Sequence, residues 1–309
     1  MRRKCLDMIY RLAKKDKRVV FVGSDLGPSV LDPMKREMPE RFFMEGVSEQ
    51  TIIGIAAGLA MEGYLPYVNT IATFLTRRCF EQIAIDLCLH NLPVRLIGNG
   101  GGLVYAPLGP THLATEDIGI LRTLPSMTIV SPSDKSEMEY FMEKTLDWPH
   151  PIYIRLGKGG DPVISKDNTA FEIGKGYIVR EGNDLVIFSS GVMTERVLTA
   201  AASLKKAGLD CRVVHLPTIK PLDNDLVLSA INGVSTAIAV EEHSRIGGLG
   251  TSILELLADQ PIIPLSRFKR IGLPDLFPEK YGSQDSLLQL YGLQPQGLIA
   301  TIKSIAQTT

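Results

Sequence analysis

Three features of the 309-residue sequence predict an α/β protein built from two doubly wound domains. Short apolar runs alternate with amphipathic stretches along the whole chain. The strand-like runs are separated by helix-length segments, which calls for parallel pairing with helices on both faces of each sheet. The alternation breaks once, at a tract rich in Gly, Asp and Lys, and then restarts. The length suits two domains of about 150 residues each.

In chain order, the basic residues near the start (Arg2, Arg3, Lys4, then Lys14, Lys15, Lys17 and Arg18) read as the wet face of a first helix. Residues 19–22 are a strand and 50–61 a helix rich in Ala and Gly. Residues 66–69 form a second strand, 74–90 a helix and 93–97 a third strand. Strand 127–130, helix 135–146 and strand 152–155 complete the first domain, 1–157. Residues 158–172 carry no apolar periodicity and read as a linker. The second domain, 173–309, repeats the pattern with strand 185–188, helix 194–207, strand 211–216, helix 223–231 and strand 236–240. Gly247-Gly248 then leads into a helix reaching about residue 258.

Bulk chemistry narrows the function. With 45% hydrophobic and 22% charged residues and a formal net charge of -1, the chain gives no electrostatic reason to expect nucleic acid or an anionic membrane as partner. No apolar run reaches the roughly 18 residues a membrane span needs, and the start lacks the apolar core of a signal peptide. Cys5, Cys79, Cys88 and Cys211 lie far apart without a C-x-x-C pair, as expected of reduced, buried thiols in a cytosolic protein. A soluble cytoplasmic location is the expectation.

Ligands of doubly wound sheets bind beyond the carboxyl ends of strands, so the strand-to-helix turns carry the chemistry. Four are unusual, and each has a structural reading beside a functional one. Gly23-Ser24-Asp25-Leu26-Gly27-Pro28-Ser29 reads alone as a capped turn. In Gly46-Val47-Ser48-Glu49, Glu49 falls in a helix's first turn, where a carboxylate suits the macrodipole; the small residues that follow let another element approach closely. Phe74, in Ile71-Ala72-Thr73-Phe74-Leu75-Thr76-Arg77-Arg78, reads alone as core. Gly98-Asn99-Gly100-Gly101-Gly102 permits close backbone approach to a ligand but fits neither a Walker pattern nor G-x-G-x-x-G. His112, in Pro107-Leu108-Gly109-Pro110-Thr111-His112, is as consistent with a structural role as with a catalytic one.

Taken in order, these motifs resemble the second and third domains of transketolase and deoxyxylulose-phosphate synthase over essentially the whole chain. Glu116-Asp117-Ile118 and Leu121-Arg122 continue the match, and Glu241-Glu242-His243-Ser244 with Gly247-Gly248-Leu249-Gly250 is similar to the family's late signature. The resemblance implies a pyrimidine-binding fold followed by a transketolase C-terminal-like domain, acting with thiamine diphosphate. In that family a glutamate hydrogen-bonds the pyrimidine ring nitrogen and favours the tautomer that removes the cofactor's C2 proton. Glu49 would be that acid. Phe74 would stack on the pyrimidine, worth about 1 kcal/mol beyond its burial, with Asp25, Ile71 and Arg77 beside it. His112 would hydrogen-bond substrate or the developing alkoxide.

The family's G-D-G segment for diphosphate and metal has no counterpart here. The resemblance therefore implies a separate diphosphate-binding subunit that holds most of the Mg2+ site, with an α2β2 heterotetramer expected. Four positions bear on the substrate. Leu108 stands where the family usually has an acid, and a donor hydroxyl unpaired against it would cost about 1–3 kcal/mol. Gly100 lies where relatives place a phosphate anchor. Lys158 replaces a phosphate-binding Arg, exchanging a bidentate fork for a point charge. Ser29 matches a phosphate contact. In the pyrimidine pocket, Ile71 replaces a second aromatic. A two-carbon ketol transfer from a modified or unphosphorylated sugar is expected. The beta subunit of a 2-oxo-acid dehydrogenase first component and a non-catalytic partner subunit remain as alternatives.

Overall fold

The computed structural model describes residues 1–24, 28–164, 171–261 and 263–307. The chain divides into two compact units, Met1–Gly101 with Ile120–Ile173, and Gly102–Gly119 with Gly174–Thr309. Gly102–Gly119, which follows a strand of the first unit, is thus counted with the second.

The first unit contains β1 (Val19–Gly23), β2 (Phe42–Met44), β3 (Leu65–Ile71), β4 (Arg95–Asn99), β5 (Thr128–Val130) and β6 (Ile152–Leu156). They lie in the order β5-β6-β4-β3-β1-β2, and the pairings are parallel. Near-continuous Val, Ile and Leu runs explain this, because a parallel sheet covered by helices is buried on both faces. The register pairs Gly23 with Asn69, Ile71 with Asn99, and Asn99 with Leu156. The carboxyl ends of four neighbouring strands therefore sit side by side, and the turns singled out from the sequence leave from that edge. A buried polar seam runs along it: Ser24 Oγ donates to Thr70 Oγ1 (2.9 Å) and Asn99 Nδ2 to Asn69 Oδ1 (2.7 Å).

The first helix, Arg2–Lys15, buries Cys5, Leu6, Met8, Ile9, Leu12 and Ala13 at helical spacing. Its basic residues are the wet face, as expected. Lys4 and Arg11 meet Glu139, and Lys15 meets Glu143, on the neighbouring helix Lys135–Lys144. The segment expected as one helix from 74 to 90 is instead mostly π-helical, with wide turns at Phe74–Arg78 and Ile83–Leu89 around a short α-helical turn at Phe80–Gln82. Such turns recur at functional sites because they re-aim side chains.

The second unit holds β7 (Tyr177–Arg180), β8 (Leu185–Ser189), β9 (Cys211–His215), β10 (Thr218–Lys220), β11 (Thr236–Ser244) and β12 (Arg267–Leu273). Five pair in the order β12-β11-β8-β9-β7, with β7 antiparallel. The connection from β8 runs to one side and the return to β11 lies on the other, which makes this sheet doubly wound too. One face packs on Leu185, Ile187, Val213 and Ile238 with the helix Met193–Lys206 and the closing helices Gln284–Leu290 and Pro295–Gln307. Leu103, Ala106 and Leu113 enter this same core, which is why their segment belongs to the second unit. Among the described residues no helix is long and apolar enough to cross a membrane.

Candidate active site

Glu49 opens the helix Glu49–Met61, and its carboxylate is almost wholly buried, with 2% of the side chain exposed. A buried carboxylate must be paired or hydrogen-bonded. Here Arg78 Nη1 donates to Glu49 Oε2 at 2.6 Å. The same guanidinium stands over the Phe74 ring, 4.6 Å from its centroid. Three side chains from two helical segments thus form one compact group of a buried anion, an aromatic face and a planar cation that touches both. Gln50 Nε2 donates to the Arg78 carbonyl (3.2 Å), tying the two segments further.

Neighbouring groups report the same electrostatics. Burial pushes the Cys79 thiol up to about 12; the Glu49 carboxylate adds to the rise and Arg78 opposes it. Thr73 Oγ1 is buried beside Phe74 and has no hydrogen-bond partner among the described residues.

The residues present fit the pyrimidine half of thiamine diphosphate. Arg78 is a planar, hydrogen-bond-donating group seated on an aromatic ring and on a carboxylate, the two contacts an aminopyrimidine needs. Nothing comparable marks a metal site: the described residues contain no group of three or more His, Cys, Asp or Glu able to hold a metal ion.

The remaining predicted positions divide. Ile71 ends β3 and is half-buried, three residues before Phe74. Arg77 is exposed, and the basic residue brought to Glu49 is its neighbour Arg78, for which the motif implied no role. Asp25 lies outside the described residues. Ser29 opens on a cavity of about 630 Å³ that it shares with Met1, Arg3, Lys4 and Lys135, and with none of the other predicted site residues. Gly100 is buried, its N–H donating to the Leu156 carbonyl (3.1 Å), and Lys158 is exposed.

His112 and Leu108 sit in the second unit, on a loop closed by two bonds. Gly102 N–H donates to the Ala114 carbonyl (2.9 Å) and Ala114 N–H to the Gly102 carbonyl (3.1 Å). Leu103, Ala106 and Leu113 anchor the loop inward, leaving Leu108 48% exposed and His112 half-buried. Thr111 Oγ1 lies 2.9 Å from His112 Nδ1, and the His112 N–H donates to the Gly109 carbonyl (3.0 Å). The Tyr281 ring packs against the backbone of Gly109, leaving no room there for a Cβ. Sequence pattern offered no signal for Tyr281, which lies in a loop without periodicity.

A family model described as the transketolase pyrimidine binding domain matches residues 1–160, and one described as the transketolase C-terminal domain matches residues 174–298. The chain is 35% identical over 302 residues to one of the subunits of the apulose-4-phosphate transketolase of Phocaeicola vulgatus, spanning 97% of this chain and 95% of that one. It is 31% identical over 303 residues to the 6-deoxy-6-sulfo-D-fructose transketolase subunit SqwH of Clostridium sp. (strain MSTE9), spanning 98% and 93%. A solved structure described as a split gene transketolase, inactive beta4 tetramer, superposes with a TM-score of 0.88 at 31% identity, covering 99% of this chain and 97% of that one.

Proposed function

The chain belongs to the transketolase family, and on that footing we propose that it is the pyrimidine-binding subunit of a split, thiamine-diphosphate-dependent transketolase. Residues 1–157 would be the pyrimidine-binding domain and 173–309 the C-terminal domain. The observation that carries the reading is the buried Glu49 carboxylate and the Phe74 ring, both held by Arg78. Relatives named as transketolase subunits support it over a 2-oxo-acid dehydrogenase subunit.

When bound, the cofactor supplies the electron sink for carbon–carbon cleavage. Glu49 shares a proton with the pyrimidine ring nitrogen, and its burial makes that hydrogen bond stronger than it would be in water. Phe74 keeps the ring flat by stacking, with Ile71 and Arg77 flanking it. Arg78 meets the buried charge of Glu49. His112 donates to the substrate oxygen on which negative charge develops. Asp25 completes the pyrimidine side, and Ser29, Gly100 and Lys158 would serve the far end of the substrate, a role that rests on the family motif alone.

The diphosphate and Mg2+ fall to a partner subunit, in an α2β2 assembly located in the cytoplasm. The inactive β4 form of the split-gene neighbour accords with a need for that partner. Leu108 supports a donor without the hydroxyl that an acid would meet, and two relatives are named for apulose-4-phosphate and 6-deoxy-6-sulfo-D-fructose. A modified sugar is therefore the donor class.

Calorimetric titration of thiamine diphosphate and Mg2+ into this chain, alone and mixed with the partner, tests the assignment. Binding in the mixture only is the expected result. Tight binding to the isolated chain would overturn the division of the site between two subunits. An ordinary kcat/KM with xylulose 5-phosphate would remove the modified-sugar reading.

A further inference from the structure

The late signature Glu241-Glu242-His243-Ser244 ends β11, and its side chains are too buried to meet substrate: Glu241, Glu242 and His243 are 3%, 2% and 0% exposed. We propose that Glu242, His243 and Ser244 are positioning residues, a clamp that holds the loop 102–119 so that His112 is presented in one place. The proposal rests on the assignment of His112 to the substrate side.

The clamp grips the loop at three points. At its start, the Leu103 N–H donates to Glu242 Oε1 at 2.7 Å, and Gln284 Nε2 donates to both oxygens of the same carboxylate (2.9 and 3.0 Å). Gly102 comes so close there, at φ +68°, that a Cβ would lie 2.6 Å from the Glu242 carboxyl. Just beyond His112, the Ser244 N–H donates to the Thr115 carbonyl at 2.7 Å. At the end, the Gly119 N–H donates to His243 Nε2 (3.2 Å), and His243 Nδ1 donates to the Ser244 carbonyl (2.7 Å), which fixes the ring. A Cβ on Gly247 would lie 2.9 Å from the Gly119 Cα, so the two backbones meet directly.

Glu241, one residue earlier, has different partners. It accepts from the Leu249 and Gly250 N–H groups (2.7 and 3.1 Å) at the start of the helix Leu249–Ala258. That contact is a helix-terminal anion contact, and the same carboxylate lies 3.8 Å from His243 Nδ1. Glu242 differs because its charge is spent on a loop amide. A buried carboxylate accepting three directed hydrogen bonds fixes its partner's position tightly, and the residues 103–113 between the closing bonds have little freedom left.

Glu242→Ala and Glu242→Gln, made in this chain and assayed in the complex with its partner, test the clamp. Glu242→Ala is expected to lower kcat about 100-fold, the scale of a 1 Å misplacement of a reacting group. Thiamine diphosphate affinity, read by calorimetry, should stay within about twofold, a change below 0.5 kcal/mol. Hydrogen exchange of the isolated chain should quicken across 103–119 and stay unchanged in β8 and β9. Glu242→Gln should recover most of kcat, because its carbonyl still accepts from Leu103. Unchanged exchange in 103–119, a Glu242→Ala kcat within about threefold of wild type, or a Glu242→Gln variant as impaired as Glu242→Ala would each overturn the proposal. If Glu242→Ala does not yield a folded chain, Gln284→Ala is measured in its place; it should quicken the same exchange with a smaller loss of kcat, and no change in either overturns the clamp. Should His112→Ala leave kcat untouched, the assignment of His112 falls, and the exchange data still decide whether the loop is held as described.

Discussion

Arg78 and Glu49 should be energetically coupled, and a double-mutant cycle measures by how much. Glu49 is 2% exposed and Arg78 44% exposed, with 2.6 Å between Nη1 and Oε2. Breaking a fully buried pair from one side costs about 3–5 kcal/mol, whereas exposed pairs contribute about 0.2–1 kcal/mol. Solvent screens the Arg78 side, so Arg78→Met, which keeps an apolar stem over Phe74 but strands a buried carboxylate, should cost about 2 kcal/mol. Glu49→Gln keeps the shape and leaves a guanidinium that water can reach, at a cost of about 1 kcal/mol. In the double variant no charge is stranded, and the loss should be about 1.5 kcal/mol, half the sum of the singles. The coupling is then about 1.5 kcal/mol in magnitude, well above the roughly 0.5 kcal/mol that independent sites show. Urea unfolding of the isolated chain, followed by circular dichroism, is the assay. Additive single effects would mean that the pair is not populated in solution, and the picture of Arg78 seated on the pyrimidine contacts would fail with it.

Three further outcomes are expected. In the complex with its partner, His112→Ala should lower kcat by about 100-fold, within the range for a lost acid or oxyanion donor, and leave the cofactor's calorimetric affinity unchanged; an equal loss of affinity would remove His112 from the substrate side. Leu108→Asp should raise kcat/KM for xylulose 5-phosphate about tenfold by restoring an acceptor for the donor hydroxyl, and a flat response would show that this position does not meet the donor. Burial pushes the thiols of Cys5, Cys79 and Cys211 up to about 12, against about 8.5 in an unfolded chain. The folded chain keeps protons that the unfolded chain releases, so the stability these groups contribute is intact below about pH 8.5 and is lost as pH rises toward 12. The urea midpoint should fall between about pH 8 and about pH 10, and less steeply when the three are replaced by Ala; equal slopes in the two chains would show that the thiols titrate freely.

The parallel pairing of the first sheet was legible because buried parallel strands announce themselves as apolar runs, as 19–22 does. The edge elements were not. β12 reads Arg-Phe-Lys-Arg-Ile-Gly-Leu, half of it charged or small, and only its pairing with β11 makes it a strand. β7 falls just after the linker, and its half-buried Tyr-Ile-Val-Arg joins the sheet antiparallel. At the site, the structure brings together Glu49 and Phe74, which the motifs singled out. Which of Arg77 and Arg78 meets them was not legible, since on a regular helix both share a face with Phe74. The wide π-helical turn at Phe74–Arg78 decides it, because a turn that takes in an extra residue brings the fourth residue on, not the third, over the ring.

The loop bearing His112 shows how chain order and packing can group one segment differently. Gly102–Gly119 directly follows β4 and falls within the match to the pyrimidine binding domain, residues 1–160. Its apolar residues nevertheless pack with the second unit. Leu103, Ala106 and Leu113 are each at most 1% exposed, and they reach that burial against Leu287, Leu288 and Leu293, more than 170 positions away. Burying a Leu fully contributes about 1.5–3 kcal/mol, enough for two such residues to outweigh the ordering of a short loop whose ends already meet at Gly102 and Ala114. Chain proximity to β4 supplies no comparable term. The same long-range preference explains the late signature: Glu242, His243 and Ser244 lie far from His112 in sequence because the core that buries the loop is assembled from the second unit. A variant that weakens the second unit's core, such as Leu288→Ala, should therefore disturb hydrogen exchange at 103–113 before it disturbs β1, β3 or β4. The opposite order would mean that the loop takes its structure from the first unit after all.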